Sequence, residues 1–347
     1  MMTSFERTIS ALSHKEGDRV PLFLLLSIYG AKEMQVSIKE YFSRPELILE
    51  AQIRMKKKYN NDCFYSFSYA PIEIEAWGGE VIFVEDGPPN SGENFIKSID
   101  QISTMKVPDV RGDKNLARVL ETTQMLKAEA GDETPIIGVV MSPFSLPVMQ
   151  MGFEKYLELL YFHEAEFQKL MRINTEFCVE WANAQIEAGA TAICYFDPLA
   201  SPNIIEKEKY MATGNLVARE TIGRIKGPTA THLASGIAFP VINEVTSTGT
   251  AVLGFSANDD LKEIKAAAKD RICLLGNLNA LEMVHWSASQ VESHVKNVIA
   301  EAGIGGGLIL AENHGEIPWQ VSEDTLIQIS EAVRKWGNYP LDWVENG

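Results

Sequence analysis

The stretch LILAENHGEIPWQV (308–321) places Glu312, His314 and Glu316 directly after an apolar run. A second histidine, His232, lies near the end of GPTATHLAS (227–235), and Asp197 lies near the end of ATAICYFDP (190–198). Imidazoles and carboxylates exchange protons near neutral pH when their surroundings tune them. They are also zinc ligands, so His232, His314 and a carboxylate such as Glu312 could make a two-histidine, one-carboxylate site. The plainer reading is two hydrogen-bonded histidines beside a cleft. His314 could equally act as a general acid or base, with Asp197 and Tyr69 as further catalytic candidates. Ser27, Ser142 and Asn277 end other apolar runs, and Trp319 follows His314 closely; these four are candidate substrate contacts. Asp197 could also do no more than cap the segment after it.

Strand-length apolar runs explain how such groups converge. RVPLFLLLS (19–27), DCFYSFS (62–68), PIIGVVMSP (135–143), 190–198, 227–235, TAVLGFS (250–256), RICLLGN (271–277) and GGLILAEN (306–313) make a set of eight. They read as doubly buried strands, and helical patterning separates them. SRPELILEAQIRMKKKY carries a Ser43 cap, the region from Tyr156 to Gly189 reads as one long helix, and SEDTLIQISEAVRKWG opens with a Ser322 cap. Eight strands alternating with helices predict a single (β/α)8 TIM barrel spanning residues 1–347, with an N-terminal extension. GGEVIFVEDGPP (78–89) reads as a hairpin insertion after the second strand. In a barrel, catalytic groups sit at the C-terminal strand ends, where all the residues above fall.

The totals narrow the function classes. The 347 residues carry a net charge of −16, and the densest basic run is Lys56–Lys58. Such a surface repels phosphate backbones, so no nucleic-acid partner is expected. No apolar run approaches the length of a membrane span, and the start has charges at Glu6 and Arg7 without an apolar core, so neither a membrane anchor nor a signal peptide is expected. Cys63, Cys178, Cys194 and Cys273 are widely separated, as free thiols of a cytoplasmic protein would be. GIGGG (303–307) precedes a strand rather than opening a helix, which argues for a turn rather than phosphate binding.

Several blocks resemble the uroporphyrinogen decarboxylase superfamily in the same order along the chain: MTSFERTISALSHKEGDRVPLF, FSYAPIEIEAWGGEVIFVEDGPP, SPFSLPVMQMG, YFDPLAS, LLGNLNALEM and ILAENHGEIPWQVSEDTLIQISEAVRKW. The resemblance implies a (β/α)8 barrel with one of two chemistries. In the haem-synthesis decarboxylases an arginine cluster after the first strand holds substrate carboxylates, and an aspartate follows the second strand. Here the positions read LLSIYGAKEM, without arginine, and Phe67-Ser68-Tyr69. In the zinc methyltransferases, which exchange a methyl group between a cobamide carrier and a thiol such as coenzyme M, a His-x-Cys motif and a distant cysteine hold the metal. Here the motif keeps His232 but has Ala234, and the last loop has His314-Gly315 and no cysteine.

The resemblance therefore implies a cobamide-dependent methyltransferase-like enzyme, zinc-assisted or using His314 directly. Its partners would be a corrinoid carrier protein bearing methylcobamide and a small methyl donor or acceptor, and a homodimer is among the expectations. Uroporphyrinogen decarboxylation and a non-catalytic corrinoid- or tetrapyrrole-binding barrel stand as alternatives.

Overall fold

The computed structural model describes residues 2–345. All eight expected strands form. They are β1 (Leu22–Phe23), β2 (Phe64–Tyr65), β5 (Ile136–Met141), β6 (Ala192–Phe196), β7 (Thr229–His232), β8 (Val252–Gly254), β9 (Cys273–Leu278) and β10 (Leu308–Glu312). A short antiparallel pair, β3 (Val81–Ile82) and β4 (Asn90–Ser91), lies between β2 and β5.

The eight strands make one parallel sheet in the order β1-β10-β9-β8-β7-β6-β5-β2. The sheet curls until its end strands meet, in agreement with a (β/α)8 barrel. Side chains complete the seam between β1 and β2. The Asp62 amide donates to the Leu22 carbonyl at 2.8 Å, and the Asp62 carboxylate accepts from the Leu22 amide at 2.9 Å. Asn61 accepts from the Leu24 amide at 2.8 Å and donates to the Leu24 carbonyl at 3.2 Å. Arg7, on the N-terminal helix Ser4–Leu12, and Arg19 each reach Asp62 at 2.7 Å.

Alternation along the strands sorts the side chains. Leu22, Leu24, Leu274 and Leu310 pack outward against the helices. Phe23, Leu25, Tyr65, Leu275, Ile309 and Ala311 form an inner cluster.

Two helical expectations change. Pro45 occupies the first turn of the helix Pro45–Tyr59, whose cap position is Arg44; Ser43 instead ends the preceding helix, Ile38–Ser43, and donates to the Glu40 carbonyl. The long region breaks at His163 into Phe153–Phe162 and Glu164–Ala188. The Ser322 cap forms, accepting from the Thr325 amide at 3.0 Å.

Candidate functional site at the barrel mouth

The loop after β10 folds back across the strand ends. Gly315 permits this with a φ of 101°, and a Cβ there would lie 2.7 Å from Phe196 Cε2. His314 and Glu316 are thereby set on the wall of a cavity of about 630 Å³, which Glu312, His232 and Trp319 also line. The loop is tied to the end of β1: the Ile317 amide donates to Leu25 O at 3.2 Å. Glu316 accepts from the Ile28 amide at 2.9 Å and from the Ser27 hydroxyl. Ser27 thus holds Glu316 in place. Lys32, nearby, donates to the Trp319 carbonyl at 2.6 Å and lies over its indole.

His232 is buried and its ring stacks on Phe196. Gly254 makes room for it, because a Cβ there would come within 2.6 Å of the imidazole. Nδ1 accepts from the Ala234 amide at 3.0 Å, so the neutral ring carries its proton on Nε2 and acts as a donor. Burial, reinforced by neighbouring His314, pushes its pKa down to about 4. Burial also lowers His314. His314 Nδ1 and Ser235 Oγ are 2.6 Å apart. When Ser235 accepts this bond, His314 Nε2 is free to take a proton.

The carboxyls shift the other way. Burial raises Glu312 to about 7, with the Glu316 charge adding to the rise, and raises Glu316 to about 7 against the hydrogen bonds from Ser27 and Ile28. Glu73, on the short helix Ile72–Glu75, also lines the cavity. Its Oε1 accepts from the Met141 amide at 2.8 Å and its Oε2 has no hydrogen-bond partner among the described residues. Burial raises it to about 8, so it is mainly a neutral acid at pH 7.

Not every expected residue reaches this cavity. Tyr69 donates to Glu75 Oε2 at 2.7 Å and packs between Phe42 and Phe83. Asp197 and Ser142 do not line the wall: Phe196 faces the cavity, so strand alternation turns Asp197 outward. There Asp197 Oδ1 accepts from Ser142 and Ser145, each at 2.6 Å, and burial raises its carboxyl to about 6. Asn277 donates to the Ser256 carbonyl at 2.8 Å and lines a different surface cavity, beside Trp286 and His294. Glu73 escaped the sequence reading, because nothing in PIEIE distinguishes the fully buried Glu73 from the half-buried Glu75 two residues on.

The fit to zinc is poor. No group of three His, Cys, Asp or Glu side chains among the described residues could hold a metal ion. His232, His314 and Glu312 share the cavity wall but are not gathered as a ligand trio. What the arrangement offers is proton chemistry: a fixed imidazole donor, a second imidazole free to accept, and carboxyls poised near neutrality.

The family model for uroporphyrinogen decarboxylase (URO-D) matches residues 3–336. Curated relatives include the uroporphyrinogen decarboxylases of Geobacter sulfurreducens, 26% identical over 95% of this chain and 98% of the relative, and of Idiomarina loihiensis, 23% identical over 95% and 96%. Among solved structures, a methyltransferase from Methanosarcina mazei superposes with a TM-score of 0.86 at 19% identity, covering 96% of this chain and 99% of that one. A B12-independent methionine synthase from a Shewanella species, in complex with selenomethionine, gives 0.56 at 12% identity, covering 94% and 98%. These likenesses bear on fold, and the match to the family model covers almost the whole length: the chain belongs to the uroporphyrinogen decarboxylase (URO-D) family.

Proposed function

We propose that this chain is a methyl-transferring member of the family, exchanging a methyl group between a corrinoid carrier and a small organic partner. The observation that carries this reading is the charge of the cavity wall: it contains Glu73, Asp86, Glu312, Glu316 and two histidines, and no lysine or arginine. Uroporphyrinogen is a polycarboxylate, and its desolvation in such a wall would be uncompensated. A methyl carbon and a neutral partner need no such cation. The similarity in fold to the Methanosarcina mazei methyltransferase supports the same direction.

In this reading the acceptor's nucleophilic atom attacks the methyl carbon, and the bond to the donor atom breaks with its electron pair staying on the donor. His314 Nε2 takes the acceptor's proton. Ser235 orients the His314 ring, and the Nε2 hydrogen of His232 fixes the partner's polar end. The mostly protonated Glu73 keeps the wall from repelling an electron-rich nucleophile. No step depends on zinc. A corrinoid carrier protein and cytoplasmic location belong to this proposal.

The names of the curated relatives favour a second reading, uroporphyrinogen decarboxylation. One experiment separates the two. The protein is mixed with methylcobalamin and a panel of thiols while the corrin absorbance is followed, and in parallel with uroporphyrinogen while products are resolved chromatographically. Demethylation without decarboxylation is expected. Decarboxylation without demethylation would replace the first reading with the second.

A further inference from the structure

The cavity does not end below His232 and His314. It continues down the barrel axis past Cys194, Ala192 and Ala230 to Thr8 and Leu12 on the N-terminal helix, which closes its floor. In a (β/α)8 barrel the interior is ordinarily filled by bulky branched side chains. Here three inward positions are alanine: Ala192, Ala230 and Ala311.

Burial along the strands shows the consequence. On β6 the inward residues Ala192, Cys194 and Phe196 are only partly buried, whereas the outward Ile193 and Tyr195 are fully buried. On β5 and β7 the partly buried residues are Val139 and Ala230, both on the cavity wall. The centre of this barrel is thus more open than its outside layer. Leaving it open costs stability, since larger side chains there would bury more apolar surface.

We propose that this lower tube is a binding subsite for the apolar body of an amphipathic substrate, a hydrocarbon chain or ring, whose polar end lies at the His232–His314 collar. That orientation rests on the collar being the reactive end, as proposed above; the subsite itself does not. From Thr229 to His232 the tube follows about 10 Å of strand, the reach of an extended chain of about eight carbons. No charged side chain stands between the collar and the floor along β6 and β7, so hydrophobic transfer is the recognition force there.

The test is calorimetric titration of the full chain with 1-alkanols from butanol to dodecanol. Affinity is expected to rise by about fourfold per methylene, levelling off near eight to ten carbons. Ala230→Leu and Ala192→Leu, which narrow the tube away from the collar, are expected to weaken octanol binding at least tenfold. Their thermal midpoints should match or exceed the parent's. If either leucine variant misfolds, Ala192→Val serves in its place. Octanol binding no tighter than butanol, or octanol affinity unchanged in the folded narrowing variants, would overturn the subsite. These readouts involve no turnover. Absent methyl transfer with length-dependent alkanol binding would remove only the reaction proposed above, and the converse result would remove only the tube.

Discussion

At the scale of single residues, the proposed chemistry turns on His314. It shares the cavity with His232, but its Nδ1 meets a hydroxyl where His232 Nδ1 meets a backbone amide. Only His314 can present a basic Nε2, by donating to Ser235. His314→Gln keeps the bulk and a polar end and is expected to lower kcat for demethylation by about 10² to 10⁴. Alkanol affinity should change by less than threefold. Because burial lowers the His314 pKa, parental activity should persist below pH 6.5 and then fall as the base is protonated; that acidic limb should vanish in the variant. An unchanged kcat would remove His314 from the reaction. Of the residues expected at the mouth, all of which follow apolar runs, His232 lines the cavity in phase with inward Ala230, whereas Glu312, His314 and Trp319 reach the wall through the turn and loop that end β10, where strand alternation no longer applies. Asp197 and Ser142 follow such runs too, but one residue out of phase, and at a side-chain period of two that turns them outward. Glu73 was unreadable because its burial is set by how one short helical turn docks, which no periodicity records.

At the scale of elements, eight strands were legible because parallel strands buried on both faces read as continuous apolar runs. The closure between β1 and β2 was not. Both are short, and the seam between them adds side-chain bonds from Asp62 and Asn61 to the backbone bond between Asp62 and Leu22. Asp62 is the centre of that seam. It binds Arg7, Arg19, Ser4 and the Leu22 amide while nearly inaccessible to water. Asp62→Ala would leave the buried Arg7 with Asp18 and the Met2 carbonyl, and the Leu22 amide without its acceptor. A loss of about 3–5 kcal/mol is expected, read as a lower urea midpoint with an unchanged m value. A loss below about 1 kcal/mol would mean that the backbone bond from Asp62 to Leu22 suffices to close the seam. The helix break at His163 was likewise hidden, since the helical pattern continues on both sides of it.

At the scale of the whole molecule, buried carboxyls without a cation should set an unusual pH dependence. Asp197, Glu312, Glu316 and Glu73 are raised from ordinary values of 3.8 and 4.5 to about 6, 7, 7 and 8. A carboxyl raised in the folded state keeps its proton after the unfolded chain has released its own. Its stabilising contribution is therefore present below the unfolded pKa and is lost as pH rises through the folded one. For Glu316 the window runs from 4.5 to about 7 and is worth about 3 kcal/mol. His232, lowered from 6.5 to about 4, works oppositely: stability rises with pH between those values. The four carboxyls outweigh the lowered imidazoles of His232 and His314, leaving a net fall from about pH 5 to 8. The net charge of −16 pushes the same way through surface repulsion. Salt distinguishes the two causes, because it screens exposed charges and hardly touches buried ones. The thermal midpoint is expected to be higher at pH 5.5 than at pH 8, and the difference should largely survive 0.5 M salt, a concentration at which the screening length is well under about 8 Å. Glu316→Gln, which keeps an acceptor for Ile28 and Ser27, should flatten the slope between pH 5 and 7. A midpoint that climbs toward pH 8, or a slope abolished by salt with Glu316→Gln behaving as the parent, would show that these carboxyls ionise inside the folded barrel at little cost.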